Sequence, residues 1–375
     1  MKSPICDMLG IEFPLIAFTH CRDVVVEVSK AGGMGVLGAA GHNAQSLEVE
    51  LRWIDEHIGG KPYGVDLIAP TSMAATDDDT SETMLSRVPQ EHRDFARQVL
   101  AAHDIDTADL YQNQRASGGG FLTSARAANI IDVAFSHPIK LIANALGVPP
   151  RYMLEMGKSR GVAVAALVGA KEHAVKQVEA GVDILVVAGT EAGGHCGEVS
   201  TLVLVPEVCE AVKDRNVAVL AAGGIVTGRQ MAACMAMGAH GAWTGSMWLT
   251  TTEAETSPVV KEKFVQASSR QTVRSKFRTG KYSRQLRSPW TDAWESEDAP
   301  ESLPMPLMSL VSEPALAKVT KLAEGGHTGA KQLATYFVGQ GVGLLNSIQD
   351  TRTVVREFME DYLAAVERLS GTVAE

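Results

Sequence analysis

Short apolar runs alternate with amphipathic stretches along the first two thirds of the chain. Residues 14–18 (PLIAF) read as a strand. Residues 23–31 read as a helix with Val24, Val25, Val28 and Ala31 on one side, and residues 35–39 (GVLGA) as a second strand. Asn43 is a candidate N-cap for a helix with a Leu47, Leu51 and Ile54 stripe, and residues 63–69 (YGVDLIA) form a third strand. Parallel strands need a crossover between them, so a β-α-β-α-β order implies a parallel sheet.

The pattern breaks over residues 70–120, which carry Asp77-Asp78-Asp79, a polar helical stretch at 81–102 and Gly118-Gly119-Gly120. This predicts an insertion over one end of the sheet. Strand-like runs resume at 130–136 and 139–143, with the barrel strand left open between them. They continue at 162–168, 184–187, 217–222 and 242–249. Helical stretches at 152–159, 171–180, 206–214 and 227–237 separate most of these, and Met231, Met235 and Met237 read as helix core. About eight parallel strands with alternating helices predict a (β/α)8 TIM barrel, in the α/β class. A doubly wound sheet would carry GxGxxG after its first strand, and none follows residues 14–18. The expected division is a barrel core over 1–265, a lid segment over 266–345 and a C-terminal helix over 346–375, with helical stretches at 313–324 and 352–369.

The chain has 375 residues, 45% of them hydrophobic, enough for a large core without staples. A net charge of −10 argues against nucleic acid as a partner. Cys6, Cys21, Cys196, Cys209 and Cys234 are scattered, with no CxxC pair and no zinc spacing, so they read as free thiols and no metal is expected. No signal peptide or membrane span is legible, so a cytoplasmic location is expected. Association as a homodimer is left open.

Candidate chemistry concentrates at strand ends. The run at 183–187 (DILVV) stops in Gly189-Thr190-Glu191-Ala192-Gly193-Gly194-His195. Glycines let a flat ligand approach the backbone, and histidine exchanges protons near neutral pH. Gly223-Gly224 and Thr244-Gly245-Ser246 follow the last two strands, where barrels commonly bind phosphate. Residues 270–287 carry seven cations: Arg270, Arg274, Lys276, Arg278, Lys281, Arg284 and Arg287. They read as a solvated basic surface or as a site for the phosphates of coenzyme A or a nicotinamide cofactor.

The runs GTEAGGHCGE and LAAGGIVTGRQMAACMAMGAHGAWTGSMWL resemble the nitronate monooxygenase family. GKYSRQLRSPWTDAWE and VGQGVGLL are similar to its later segments, and PLIAFTH and AGGMGVLGAAG fit its opening strands more loosely. The resemblance implies a barrel with non-covalent FMN and no metal, oxidising alkyl nitronates with O2. It implies that His195 is the base or substrate-positioning group. It assigns Gly193, Gly194, Gly223, Gly224, Gly245 and Ser246 to the cofactor, mainly its phosphate, with Trp243 and Thr244 in the same segment. Asp66 and Ala188 occupy flavin-contact positions, and Ala17 and Phe18 lie where the first strand passes the ring. Asp66 and Ala188 depart from the family's usual asparagine and glutamine, and Ala17-Phe18 from its usual Pro-Met. The lysine that often opens the strand at 162–168 is absent here. A carboxylate at position 66 would disfavour an anionic reduced flavin.

An NAD(P)H:quinone reductase, or an enoyl or acyl-thioester reductase or dehydrogenase, is the alternative reaction. A non-catalytic flavin-binding barrel is a third reading. His137, His20 and Tyr282 are further candidates for the substrate end, and Gly339-Gln340-Gly341 for a closing turn. Cys196 reads as an inert thiol.

Overall fold

The computed structural model describes residues 2–69, 81–112 and 124–373. Asp77-Asp78-Asp79 and Gly118-Gly119-Gly120 lie outside the described residues.

Eight parallel strands close into a barrel: β1 (Leu15–Thr19), β2 (Met34–Gly38), β3 (Tyr63–Leu67), β4 (Leu141–Asn144), β5 (Ala163–Val168), β6 (Ile184–Ala188), β8 (Ala218–Ala222) and β9 (Gly241–Thr244). Pairing Ile16 with Trp243 joins β9 back to β1. Between β6 and β8 the chain makes the two-residue β7 (Gly194–His195). Beyond the barrel, β10 (Thr272–Ser275) and β11 (Ser283–Leu286) form a hairpin whose second strand pairs with β7.

Strand alternation sorts side chains into an interior and an outer layer. Ile16, Met34, Val36, Leu141, Ala143, Ile184, Val186, Leu220 and Trp243 fill the interior. Ile5, Cys6 and Leu9 of the helix Pro4–Leu9 join this same cluster. Outward residues such as Leu37, Tyr63, Val65 and Ile142 pack under the surrounding helices. The last helix, Thr351–Ser370, lays Val355, Phe358 and Met359 into the outer core beside Gly228–Ala236.

The predicted helix at 171–180 forms as Lys171–Ala180. Asn43 caps its helix, the carboxamide oxygen accepting the Ser46 N–H at 2.8 Å. Two expectations need correction. Residues 130–136 are the end of the helix Ser124–Ser136, and the barrel strand is β4. Its buried positions Ala127, Ile130, Ile131 and Ala134 follow a helical spacing that a short β-branched run disguised. The strand expected at 242–249 ends at Thr244, where a tight turn of 3-10 helix, Ser246–Thr250, replaces it.

The insertion and the late segment share one core. Val88, Ala96, Val99 and Leu100 pack with Trp290, Trp294, Met308 and Val311. Among the described residues, no helix is long and apolar enough to cross a membrane.

Candidate active site

A cavity of about 960 Å³ opens at the C-terminal ends of the barrel strands. Its floor includes Phe18, Asp66, Leu167, Val186, Ala188 and Trp243, and its walls are the loops that follow those strands. This is the rim on which barrels build their chemistry, because the βα loops converge there.

Glycine turns shape one side. Gly223 and Gly224 have φ of +97° and +72°, a left-handed backbone that favours glycine. The Gly224 carbonyl accepts from Gln230 Nε2 at 2.8 Å, which fixes the turn to the following helix. Glu191 rests against it, accepting from both the N–H and the hydroxyl of Thr201 at 2.9 Å. A Cβ on Gly193 would lie 2.7 Å from the Gly339 nitrogen, so this glycine is needed for close approach of the late segment. Ser246 Oγ accepts the Gly339 N–H at 2.9 Å. The Gly339-Gln340-Gly341 turn is therefore docked against Gly193 and Ser246.

The other side is built around His195. His195 is exposed on the side that faces the cavity, and the protein around it desolvates the ring. Burial, followed by the charges of Lys281 and Arg278, holds its pKa down to about 4. The imidazole is neutral at physiological pH. His195 Nε2 lies 2.9 Å from Thr279 Oγ1 at the tip of the hairpin. Tyr282 also reaches the cavity, with Arg274 stacked over its ring at 4.0 Å and Lys276 at 4.7 Å. His20 lines the same space. Its Nδ1 faces the Gly38 carbonyl at 3.0 Å, so that nitrogen carries the proton. Burial lowers the His20 pKa.

Among the described residues, three buried polar atoms with no hydrogen-bond partner belong to cavity-lining residues: Asp66 Oδ1, Gln177 Oε1 and Arg274 Nε. Burial raises the Asp66 carboxyl well above the ordinary carboxylate range.

The cavity thus gathers His195, Phe18, Asp66, Ala188, Gly193, Gly194, Gly223, Gly224, Trp243, Thr244, Gly245, Ser246 and Tyr282. Two residues expected there are elsewhere. Ala17 turns outward, packing with Val24 and Val28, because alternation along β1 sends Ile16 and Phe18 inward. His137 precedes its strand and so sits at the opposite rim, bridging Asp55 at 2.6 Å and Glu48 at 3.0 Å.

The basic cluster is mostly tied into the fold. Arg278 is buried against Glu313, with Nε to Oε1 at 2.9 Å. Arg284 donates to the Thr190 carbonyl at 3.0 Å, and Arg287 to Asp292 at 2.6 Å. Arg274 and Lys281 alone of the seven line the cavity. Cys196 is half-buried, and desolvation raises its pKa, as an inert thiol requires.

Sequence reasoning missed Thr279, Glu191 and Gln177. Part of the signal for the first was present: TVRS and YSRQL, strand-like runs flanking Gly280, mark a hairpin with Thr279 at its tip.

A closed parallel barrel that gathers a histidine, glycine turns and a desolvated carboxyl at the C-terminal ends of its strands has the architecture of an α/β-barrel enzyme. The chain belongs to the nitronate monooxygenase family, whose model matches residues 2–361. Rv1533 of Mycobacterium tuberculosis, a protein that bears the name monooxygenase, is 48% identical over the full length of both chains. The solved structure of FabK from Thermotoga maritima is 25% identical, covers 100% of both chains and superposes with a TM-score of 0.72. The fold is also shared with nitroalkane oxidase from Streptomyces ansochromogenes, at 22% identity and a TM-score of 0.79 over 98% of this chain and 100% of that one.

Proposed function

We propose that the protein is an FMN-dependent oxidoreductase that oxidises small alkyl nitronates with O2. The observation that carries this reading is the placement of a neutral His195 in the same cavity as the Gly223-Gly224 and Gly245-Ser246 turns. The residues fit the cofactor. A Cβ on Gly245 would meet only Phe18, at 4.0 Å, so the turn leaves room for a phosphate group against the backbone. The apolar floor of Phe18, Leu167, Val186 and Trp243 suits a flat aromatic ring. Bound FMN would supply the redox chemistry, taking electrons from the substrate and passing them to O2.

The chain's own residues would do the rest. Gly223, Gly224, Gly245 and Ser246 hold the phosphate, and Phe18, Ala188 and Trp243 bear the ring. His195, neutral and hydrogen-bonded at Nε2, positions the substrate or accepts its proton. Lys281 and Arg274 give the mouth a positive potential that favours an anionic substrate. Segment 266–345 acts as a lid, buttressed by residues 81–112, and excludes water from the site.

An absorption spectrum of the purified protein, followed by anaerobic mixing with an alkyl nitronate, tests the reading. A flavin spectrum that bleaches with the nitronate and recovers with O2 is expected. Protein that neither contains nor takes up FMN would overturn it.

A second reading rests on one observation. The cavity extends past the loops after β4 and β5 to His173, Lys176 and Gln177, which leaves room for a longer, phosphorylated substrate. An FMN-dependent reductase using NAD(P)H would bleach anaerobically with NAD(P)H and remain unchanged with nitronate.

A further inference from the structure

The side chains of β1 step up through the cavity. Ile16 fills the barrel interior, Phe18 forms part of the floor, and His20, next in the same direction, lines the mouth. Two residues rise about 6.6 Å along a strand, or about 5 Å along the axis of a barrel whose strands tilt by about 36°. The ring centres of Phe18 and His20 lie 5.1 Å apart, edge to face. A flat ring resting on Phe18 takes about 3.5–4 Å of that height. His20 then stands level with whatever lies on the open face of that ring.

The imidazole is seated against the neighbouring strand. A Cβ on Gly38 of β2 would lie 2.6 Å from both Nδ1 and Cε1 of His20, so the absence of a side chain there admits the ring. The Gly38 carbonyl lies 3.0 Å from Nδ1 and can only accept, so Nδ1 holds a proton. With that edge turned to β2, the far edge, Cδ2 and Nε2, is the exposed one that faces the cavity. Among the described residues, no other hydrogen bond or ion pair reaches the ring. No carboxylate acts on it, and His42 joins burial in favouring the uncharged form. Nε2 therefore presents a lone pair to the cavity.

We propose that His20 determines specificity: its Nε2 accepts a hydrogen bond from the substrate, which carries a hydroxyl or an amide N–H in addition to the carbon that reacts beside His195. The inference rests on the FMN reading above for the level at which substrate lies, and it adds the substrate's second polar group. His195 follows β6 and His20 follows β1, three places apart round the closed strand order, so the two imidazoles approach the substrate from different walls. A simple alkyl nitronate offers only its two oxygens, both acceptors, and leaves the Nε2 lone pair without a donor. A nitronate with a hydroxyl at the other end of its chain satisfies both walls, and a site built to bond a hydroxyl discriminates against the analogue that lacks it.

The test is a double-mutant cycle between protein and substrate, run on the holoenzyme. Wild type and His20→Asn are compared on the nitronates of ω-nitro alcohols with three, four and five carbons, each against the alkyl nitronate with a methyl group in place of the hydroxyl. Asn keeps an N–H for the Gly38 carbonyl and has no atom at the Nε2 position. At the chain length that spans the site, the preference for the hydroxylated member in kcat/KM should be about threefold to tenfold greater in wild type than in the variant. The difference should sit in KM, with kcat held, and the FMN dissociation constant should stay within about twofold. Equal preference in the two proteins at every length overturns the proposal. So does FMN binding weakened about tenfold with the preference intact, because the donor is then on the cofactor. His20→Phe, which keeps a ring edge on Phe18, supplies the cycle should Asn disturb the fold. Failure of the parent reading looks different, because no nitronate then bleaches the flavin. Calorimetric dissociation constants of the unreacted nitro alcohols and nitroalkanes then complete the same cycle, and a hydroxyl preference lost with His20 still decides for the proposal, its absence against it.

Discussion

His195 Nε2 and Thr279 Oγ1 meet at 2.9 Å across 84 residues of chain, joining the glycine loop to the tip of the β10–β11 hairpin. The Thr279 hydroxyl lies 3.1 Å from the Lys281 carbonyl, and the Lys281 N–H lies 3.3 Å from the hydroxyl oxygen. A hydroxyl has one proton. With that proton on the Lys281 carbonyl, the oxygen accepts from His195 Nε2–H, and Nδ1 keeps the lone pair. Thr279 is then a positioning residue that selects the tautomer. Thr279→Val should lower kcat about tenfold with little change in FMN binding, and Thr279→Ser should restore it. Equal kcat in the Val and Ser variants would remove Thr279 from this role.

A pKa of about 4 for His195 keeps the imidazole unprotonated through the neutral range. The acid limb of kcat/KM should therefore fall only as the pH approaches about 4, well below the ordinary imidazole range near 6.5. His195→Asn should bind FMN normally, lose about 10²–10⁴-fold in turnover and lose that limb. The stability consequence has a definite sign. The unfolded chain takes up the proton near pH 6.5 and the folded protein only near 4, so acidification across that window destabilises the fold. Above it His195 contributes no slope. Melting temperatures of wild type and His195→Asn, measured from pH 7 to 4, should diverge only in the acid half, with wild type losing more. Parallel curves would show that the ring is not desolvated in solution.

Much of this fold could be read before any coordinates, for reasons visible in single residues. The helix Lys171–Ala180 ends at a glycine with φ of +95°, and the helix Ala44–His57 begins at the capping side chain of Asn43, so local chemistry marks one end of each. The loops at 189–195, 223–224 and 244–246 were legible because each glycine group follows an apolar run. Ala17 was misplaced because proximity along a strand does not say which way a side chain points, and one position of phase separates Ile16 and Phe18 from it. His137 was misplaced because a histidine near a strand belongs to either rim, and only the end of the strand it adjoins decides. The helix Ser124–Ser136 was obscured by β-branched residues on its buried face. Thr279 and Gln177 depend on contacts between distant segments, which no periodicity encodes.

The Gly224 turn is sensitive to a single methyl group. With φ at +72°, a Cβ there would lie 2.9 Å from Glu191 Cβ. Gly224→Ala should cost about 1–2 kcal/mol from the left-handed backbone alone. It should also displace Glu191 from Thr201. The expected readout is an FMN dissociation constant raised at least about tenfold, with the barrel still folded by circular dichroism. Unchanged FMN affinity would separate this turn from the cofactor.

The β10–β11 hairpin is anchored at its tip by the Arg278–Glu313 ion pair, whose two halves are unequally buried. The Arg278 side chain is 4% exposed and that of Glu313 is 47% exposed. Arg278 donates from Nε and Nη2 to the carboxylate at 2.9 and 3.3 Å and from Nη1 to Gln285 Oε1 at 3.1 Å, with its guanidinium 3.9 Å from the Phe337 ring centre. Removing the exposed half leaves a buried cation without its counter-charge, whereas removing the buried half leaves a carboxylate that water can solvate. Loss of one partner strands a charge only where the survivor is buried. Glu313→Ala should therefore lower the melting temperature more than Arg278→Met, which keeps apolar bulk against Phe337. Both should loosen the hairpin that carries Thr279, so KM should rise in proportion to the loss of stability. Urea unfolding of the two variants measures the order, and a larger loss for Arg278→Met would show that packing rather than charge pairing anchors the hairpin.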